Sequence, residues 1–185
     1  MPEKTAEEFY ESHGKRWFKT GDIGEIHRDG TIQIIDRKKD LVKLQFGEYV
    51  SLGKVEACLK TCPIVENVCI YGESSKSFIV GLVCPDRAAL KELAKKLGKD
   101  ESMSAEDLCA DRDVTGAVLR DVVNHAKKHR LEKFEIPGAV TLCKEVWLPD
   151  TGLVTAAFKI KRKPIQDFYQ RDLDRMYGGS GGRGV

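Results

Sequence analysis

No stretch of this sequence could cross a bilayer as a helix: the longest apolar run, Phe78 to Cys84, is far shorter than the roughly 20 residues a span requires. An apolar leader is also missing, because Met1-Pro-Glu-Lys-Thr5 is polar, so no secretory signal is expected. Charge of one sign is not in excess. Lys and Arg number 31 against 29 Asp and Glu, a formal net charge of +2, which gives no broad basic field for a nucleic-acid backbone. The six cysteines, at 58, 62, 69, 84, 109 and 143, form no C-x-x-C pair, and company such as Val68-Cys69-Ile70 suits reduced thiols in a core. His125 and His129 have the spacing of a helical metal pair, but Lys127, Lys128 and Arg130 surround them. They read as a solvated basic face, and no metal site is expected. A Ser/Thr/Gly-rich loop that could cradle phosphates is absent, as is any internal repeat.

What is there is a soluble pattern of 185 residues, 41% hydrophobic and 32% charged, enough for one compact domain with an attached piece. From Pro2 to Gly14 the chain is polar, with Thr5 and Glu8 spaced as a capping box for a short helix before a turn at His13-Gly14. Arg16 to Arg37 reads as one hairpin, turned at Arg28-Asp29-Gly30. A lone hairpin is marginal in water, so this one is expected to be severed from a larger sheet. Beyond it, Ser51 is placed to cap a helix carrying Leu52, Val55 and Leu59, and strands are expected at Val65 to Tyr71 and Ser77 to Cys84. Asp86 then caps a helix that Gly98 ends. Lys99 to Asp113 is expected as a polar surface insertion with a short helix capped at Ser104. A longer helix from Val114 to Arg130, a strand from Val140 to Val146 and one charged closing helix from Lys161 to Met176, with Pro164 in its first turn, complete the domain. The tail from Gly178 to Val185 has the composition of a disordered linker.

The chain is organised around Asp36-Arg37-Lys38-Lys39-Asp40-Leu-Val-Lys43-Leu-Gln-Phe-Gly47-Glu48-Tyr-Val-Ser51. Five charged residues separate the strand-like run Thr31 to Ile35 from the alternating Leu41 to Leu44, which is where a hinge would be placed. Upstream lies Trp17-Phe18-Lys19-Thr20-Gly21-Asp22, and downstream lies Asp150-Thr-Gly-Leu-Val-Thr155-Ala-Ala-Phe-Lys159-Ile-Lys-Arg162. In this order the three segments resemble the C-terminal part of the adenylate-forming enzymes, and among these the long-chain fatty-acid–CoA ligases, over about Met1 to Tyr177.

The resemblance implies an α+β fold: a small C-terminal lid domain at 39–177 with a central sheet and packed helices, preceded at 1–38 by the end of a large adenylation domain, with 178–185 as tail. It implies ATP, Mg2+ held by residues outside this chain, a fatty acid and coenzyme A as ligands, a missing N-terminal domain as partner, and no nucleic acid. A position on the cytoplasmic face of the endoplasmic reticulum or another internal membrane follows from the same resemblance, though not through this segment. Ligases of other acyl acids, or a non-catalytic nucleotide- or protein-binding domain, are the alternatives.

By resemblance Lys159 is the lysine that contacts phosphate and carboxylate oxygens during adenylate formation, a task suited to a compact cation on a long stem. The family's pattern places glycine before that lysine; Phe158 stands here, and Lys161 is the competing assignment. Asp22 matches the aspartate that accepts from both ribose hydroxyls, and Arg37 an arginine at the nucleotide sugar. Their alternatives are a turn carboxylate and a local ion pair. Lys39 matches the hinge residue about which the small domain rotates. Lys43, Gly47, Glu48 and Tyr49 match the loop that lines the coenzyme A channel during thiol transfer.

Overall fold

A computed structural model describes residues 2–178. The Gly-rich segment expected to be a linker lies outside these residues from 179 onward; Gly178, expected at its start, is instead the last residue of the final helix. Contacts divide the chain into Met1–Leu41 and Val42–Val185.

The first unit holds helix α1 (Pro2–Glu8), strands β1 (Phe9–Ser12) and β2 (Lys15–Phe18), and strands β3 (Asp22–Ile26) and β4 (Ile32–Arg37). Each strand pair is an antiparallel hairpin, so the single hairpin expected over Arg16 to Arg37 is corrected to two. The reason is local. His13 and Gly14 both take positive φ, 52° and 70°, and fold β2 back onto β1, where the Phe9 and Phe18 rings meet at 5.0 Å. The capping box is also not formed, because α1 runs through Thr5 to Glu8. The second hairpin turns as expected: Asp29 Oδ1 accepts from the Thr31 backbone N–H at 3.0 Å and from its hydroxyl at 2.8 Å, beside Gly30 at φ 84°. Among the described side chains of this unit none is buried, and Ile26, Ile32 and Ile34 are 62–74% exposed. Hairpins this bare do not stabilise themselves.

The second unit has a true core. Strands β5 (Leu41–Lys43) and β6 (Tyr49–Ser51) pair with each other. A three-stranded sheet follows, from β7 (Val65–Tyr71), β8 (Val80–Pro85) and β9 (Ala139–Leu142); β8 is antiparallel to β7 and parallel to β9. Alternate residues of β7 and β8 serve opposite faces. Val68, Ile70 and Val83 join one apolar cluster with α2 (Leu52–Leu59), α3 (Arg87–Lys96), α4 (Ala105–Ala110) and α5 (Arg112–Lys128). Cys69, Val80, Leu82 and Cys84 join a second with Trp147, Leu153, α6 (Arg162–Phe168) and α7 (Gln170–Gly178). The sheet is therefore a middle layer covered on both sides, which is why its strands read as unbroken apolar runs.

The helix starts follow the sequence closely. Ser51, Asp86 and Ser104 each accept from a backbone N–H of the first turn, at 3.1, 2.8 and 3.1 Å, and Gly98 ends α3 at φ 71°. Other expectations are corrected. The segment read as a surface insertion contributes α4, whose Leu108 and Cys109 are buried, because α4 closes the cluster between α3 and α5. Strand β8 begins at Val80 rather than Ser77, β9 ends at Leu142, and α5 starts at Arg112 behind an Asp111 cap. The closing helix breaks at Tyr169, whose buried hydroxyl donates to Glu145 at 2.8 Å and accepts from the Trp147 indole at 3.2 Å, a pull toward the core that an uninterrupted charged helix would not allow. Among the described residues no helix is long and apolar enough to cross a membrane.

Candidate functional site

Asp22 opens β3 and Arg37 closes β4, and the two are direct cross-strand partners. Partners in an antiparallel pair put their side chains on one face, with Cβ atoms about 4.5–5.5 Å apart, so a carboxylate and a guanidinium project together from one end of the hairpin. Both are exposed. A bulge between Ile23 and Gly24 shifts the register immediately behind Asp22, a feature that re-aims side chains at sheet ends. Lys38 N–H donates to Gly21 O at 2.8 Å, which extends the pairing past Arg37.

Lys39 is the middle residue of a single 3₁₀ turn, Lys38–Asp40, flanked by extended Arg37 and Leu41 and without a side-chain cap. It is exposed, and the first unit ends just past it at Leu41.

Lys43, Gly47, Glu48 and Tyr49 lie on the tight connection from β5 to β6. Leu44 N–H donates to Glu48 O at 2.8 Å and Gly47 N–H to Leu44 O at 3.0 Å, closing a three-residue hairpin loop over Gln45, Phe46 and Gly47. Gly47 takes φ 98°, and a Cβ added to it would meet nothing within 4 Å. The glycine is therefore required here by backbone conformation, not by crowding inside the chain. The Lys43 ammonium sits 5.6 Å from the Tyr49 ring centre, within cation–π range. One Glu48 carboxylate oxygen, Oε2, is shut away from solvent with no hydrogen-bond partner among the described residues, an unusual state for a carboxylate.

Lys159 stands on a different loop of the second unit. Thr155 N–H donates to Lys159 O and Phe158 N–H to Thr155 O, both at 2.8 Å, and Lys159 N–H reaches Thr155 Oγ1 at 3.2 Å. The bridge Val154–Ile160 and the bond from Lys161 N–H to Leu153 O, 2.8 Å, close the base. This is again a three-residue hairpin loop, with Phe158 in the left-handed position at φ 55°. Phe158 thus adopts the backbone conformation a glycine would take there, and Lys159 is exposed at the loop's end. Lys161 caps α6 on the other side of the bridge.

Sequence reasoning missed the residues that hold this loop. Arg162, the first residue of α6, forms a two-pronged pair with Glu56 of α2: Nη1 to Oε1 at 2.6 Å and Nη2 to Oε2 at 3.1 Å. Nη1 also donates to Ile70 O at 2.8 Å, while Ile70 N–H donates to Glu56 Oε1 at 2.8 Å. Strand β7 is an edge of its sheet, so the pair satisfies backbone groups that no strand reaches. Glu56 is buried, and the salt bridge spans 106 positions. The available signal was a glutamate at a core-facing position of α2, one residue from Val55, which apolar periodicity alone would leave unexplained.

Compared with solved structures, 97% of the chain matches 26% of the A domain of carboxylic acid reductase from Segniliparus rugosus, a complex with AMP and a co-purified carboxylic acid, at TM-score 0.76 and 26% identity. The adenylation domain of a carboxylate reductase from Mycobacterium chelonae matches 96% of the chain over 25% of its own length, at TM-score 0.77 and 25% identity. The architecture is that of the C-terminal region of the adenylate-forming enzymes. Among curated proteins, long chain acyl-CoA synthetase 8 of Arabidopsis thaliana is 46% identical over 176 residues, 95% of this chain and 24% of that protein. Long-chain-fatty-acid–CoA ligase 1 of Saccharomyces cerevisiae is 40% identical over 89% of this chain and 24% of its own length. The chain belongs to the long-chain acyl-CoA synthetases and spans about a quarter of the length of the curated relatives it matches, their C-terminal region. No protein-family model matches it.

Proposed function

We propose that this chain is the C-terminal part of an ATP-dependent long-chain fatty acid–CoA ligase, acting as its moving lid. In the first half-reaction the fatty-acid carboxylate attacks the α-phosphorus of ATP, pyrophosphate leaves, and an acyl-adenylate forms. Two anions are forced together, and charge builds on the phosphate oxygens. Lys159 supplies the cation that meets this charge. Asp22 accepts from the ribose hydroxyls, and Arg37, across the strand from it, donates to the same sugar region. Mg2+ would neutralise the polyphosphate when bound, held by one or two carboxylates of the rest of the enzyme together with the phosphates themselves.

In the second half-reaction the thiol of coenzyme A attacks the acyl carbonyl and AMP leaves. The lid turns about Lys39, withdraws Lys159 and presents the Lys43 to Tyr49 loop, with Gly47 facing the pantetheine arm and Lys43 serving the thiol step. The observation that carries this reading is the construction of the second unit: two three-residue hairpin loops, one just past Lys43 and one ending at Lys159, based on the two apolar clusters that cover the opposite faces of one sheet. The decisive experiment measures both half-reactions of the full-length enzyme with Lys159→Ala. Adenylate formation falls by roughly 10²-fold or more, as on loss of one electrostatic stabiliser, while thiol transfer from supplied acyl-adenylate persists. Equal damage to both steps overturns the reading and turns attention to Lys161. The 185-residue chain by itself yields no acyl-CoA from ATP, oleate and coenzyme A. The site within the cell follows the same family reading: an internal membrane reached through the rest of the enzyme.

A further inference from the structure

Where the ends of α2 and α5 meet, two helices bring three metal-binding side chains together. Cys58 lies in the last turn of α2, and His125 and His129 lie at the end of α5, one turn apart. One donor atom from each lies within 4.8 Å of the other two. Ligands of a tetrahedral zinc ion, with bonds of about 2.0–2.3 Å, stand roughly 3.3–3.8 Å apart, so small side-chain rotations close the set. The His125 and His129 rings already stack at 4.1 Å.

Each imidazole has its second nitrogen occupied. His129 Nδ1 bonds the His125 carbonyl at 2.9 Å, where it must donate, which leaves its lone pair on Nε2. Thr61 spends its hydroxyl hydrogen on Cys58 O at 2.7 Å, so the 2.8 Å contact from His125 Nε2 is a donation to Thr61 Oγ1, and His125 keeps its lone pair on Nδ1. Ligating histidines are held in this way in metal sites, with the outer N–H on a carbonyl or hydroxyl.

The surroundings both oppose and favour a cation. Lys128 and the two histidines repel a cation placed between them. A thiol must lose its proton to ligate, so zinc binding at Cys58 releases one. In favour stand the last carbonyls of α5, the negative end of that helix; Glu135 adds little, since the Lys54 ammonium at 2.7 Å already meets its charge.

We propose that Cys58, His125 and His129 form a zinc site with three protein ligands and a fourth position open to water, tying the end of α2 to the end of α5. The mixed sulfur and nitrogen donors select zinc or its cobalt surrogate over Mg2+ or Ca2+. The proposal is independent of the ligase reading, since none of these residues serves it.

The test uses the 185-residue chain, reduced and stripped of metal, titrated with Zn2+ against a competing chelator and with Co2+ by absorption spectroscopy. Expected are one equivalent bound, a thiolate-to-cobalt charge-transfer band, and a melting temperature that rises with free Zn2+. Cys58→Ser abolishes the band and the melting shift, and His129→Ala weakens binding; both sit at partly or fully exposed positions and leave the fold intact by circular dichroism. Thr61→Val, which frees the His125 ring without touching a ligand, weakens affinity by about tenfold. Cys62→Ser binds as the parent does. Absence of stoichiometric binding, or a band and a melting shift that survive in Cys58→Ser, overturns the site.

Discussion

Gly47 and Phe158 occupy the same position in two loops of the same construction. Each is the third residue of a three-residue hairpin loop, at φ 98° and 55°, and each N–H donates to the carbonyl three residues back. One loop has the residue such a turn favours; the other places an aromatic ring there, 55% exposed. A bulky residue held left-handed costs about 1–2 kcal/mol. Phe158→Gly therefore raises stability by about 0.5–1 kcal/mol after the added freedom of the unfolded chain is counted. Gly47→Ala lowers it by about 1 kcal/mol even though its Cβ has space, because the backbone is at fault and not packing. Urea denaturation of both variants checks the opposite signs.

The Arg162–Glu56 pair should be worth more than its charge. Removing one partner with Arg162→Ala leaves the buried Glu56 charge without a countercharge and the Ile70 carbonyl without its donor, and costs about 3–5 kcal/mol. Replacing both residues by leucine does not restore stability, although apolar exchange of a buried pair often does, because the Ile70 N–H and C=O at the sheet edge still lack partners. Denaturation midpoints of the single and double variants decide this.

If the lid turns at Lys39, fixing its φ interferes. Lys39→Pro removes one N–H, restricts Lys38 to extended backbone and so disrupts the 3₁₀ turn. In the full-length enzyme thiol transfer then falls more than adenylate formation, the reverse of the Lys159→Ala pattern. Measuring both half-reactions on both variants gives a crossed result; equal losses would remove the hinge.

Acid stability should depend on the cap of α5. Lys99 Nζ reaches Asp111 at 2.8 Å and Asp113 at 2.7 Å. The Lys99 ammonium, then the Val114 backbone N–H, hold the Asp111 carboxyl below its ordinary value. A depressed carboxyl stabilises the fold above its unfolded value, near 3.8, and loses that contribution as pH falls through the lower folded value. Lys99 is raised by the same pair, so its share is present below 10.5 and lost at higher pH. Asp111→Asn flattens stability against pH below about 4 and Lys99→Met flattens it above about 10, as thermal unfolding in a buffer series will show.

Much of the second unit was legible from its residues alone. Helix faces such as Val118, Val122 and Ala126, caps at Ser51, Asp86 and Ser104, and the β7 and β8 runs are set by local periodicity and by short-range hydrogen bonds, which the sequence carries within a few positions. The turn at Arg28-Asp29-Gly30 was local too, whereas the register that sets Asp22 opposite Arg37, shifted at Ile23 and Gly24, came from the structure. Tertiary structure alone decided the rest. Whether Lys99 to Asp113 was surface or core depended on what α3 and α5 left uncovered. Tyr169 broke the last helix because its hydroxyl had partners more than 20 residues away, on Glu145 and Trp147. Glu56 with Arg162, and Cys58 with His125 and His129, meet only after α2 has packed on β7 and α5. Side-chain chemistry marks such residues as capable of pairing, but which groups meet across many tens of positions is fixed by the packing of the apolar core, and no local pattern encodes it.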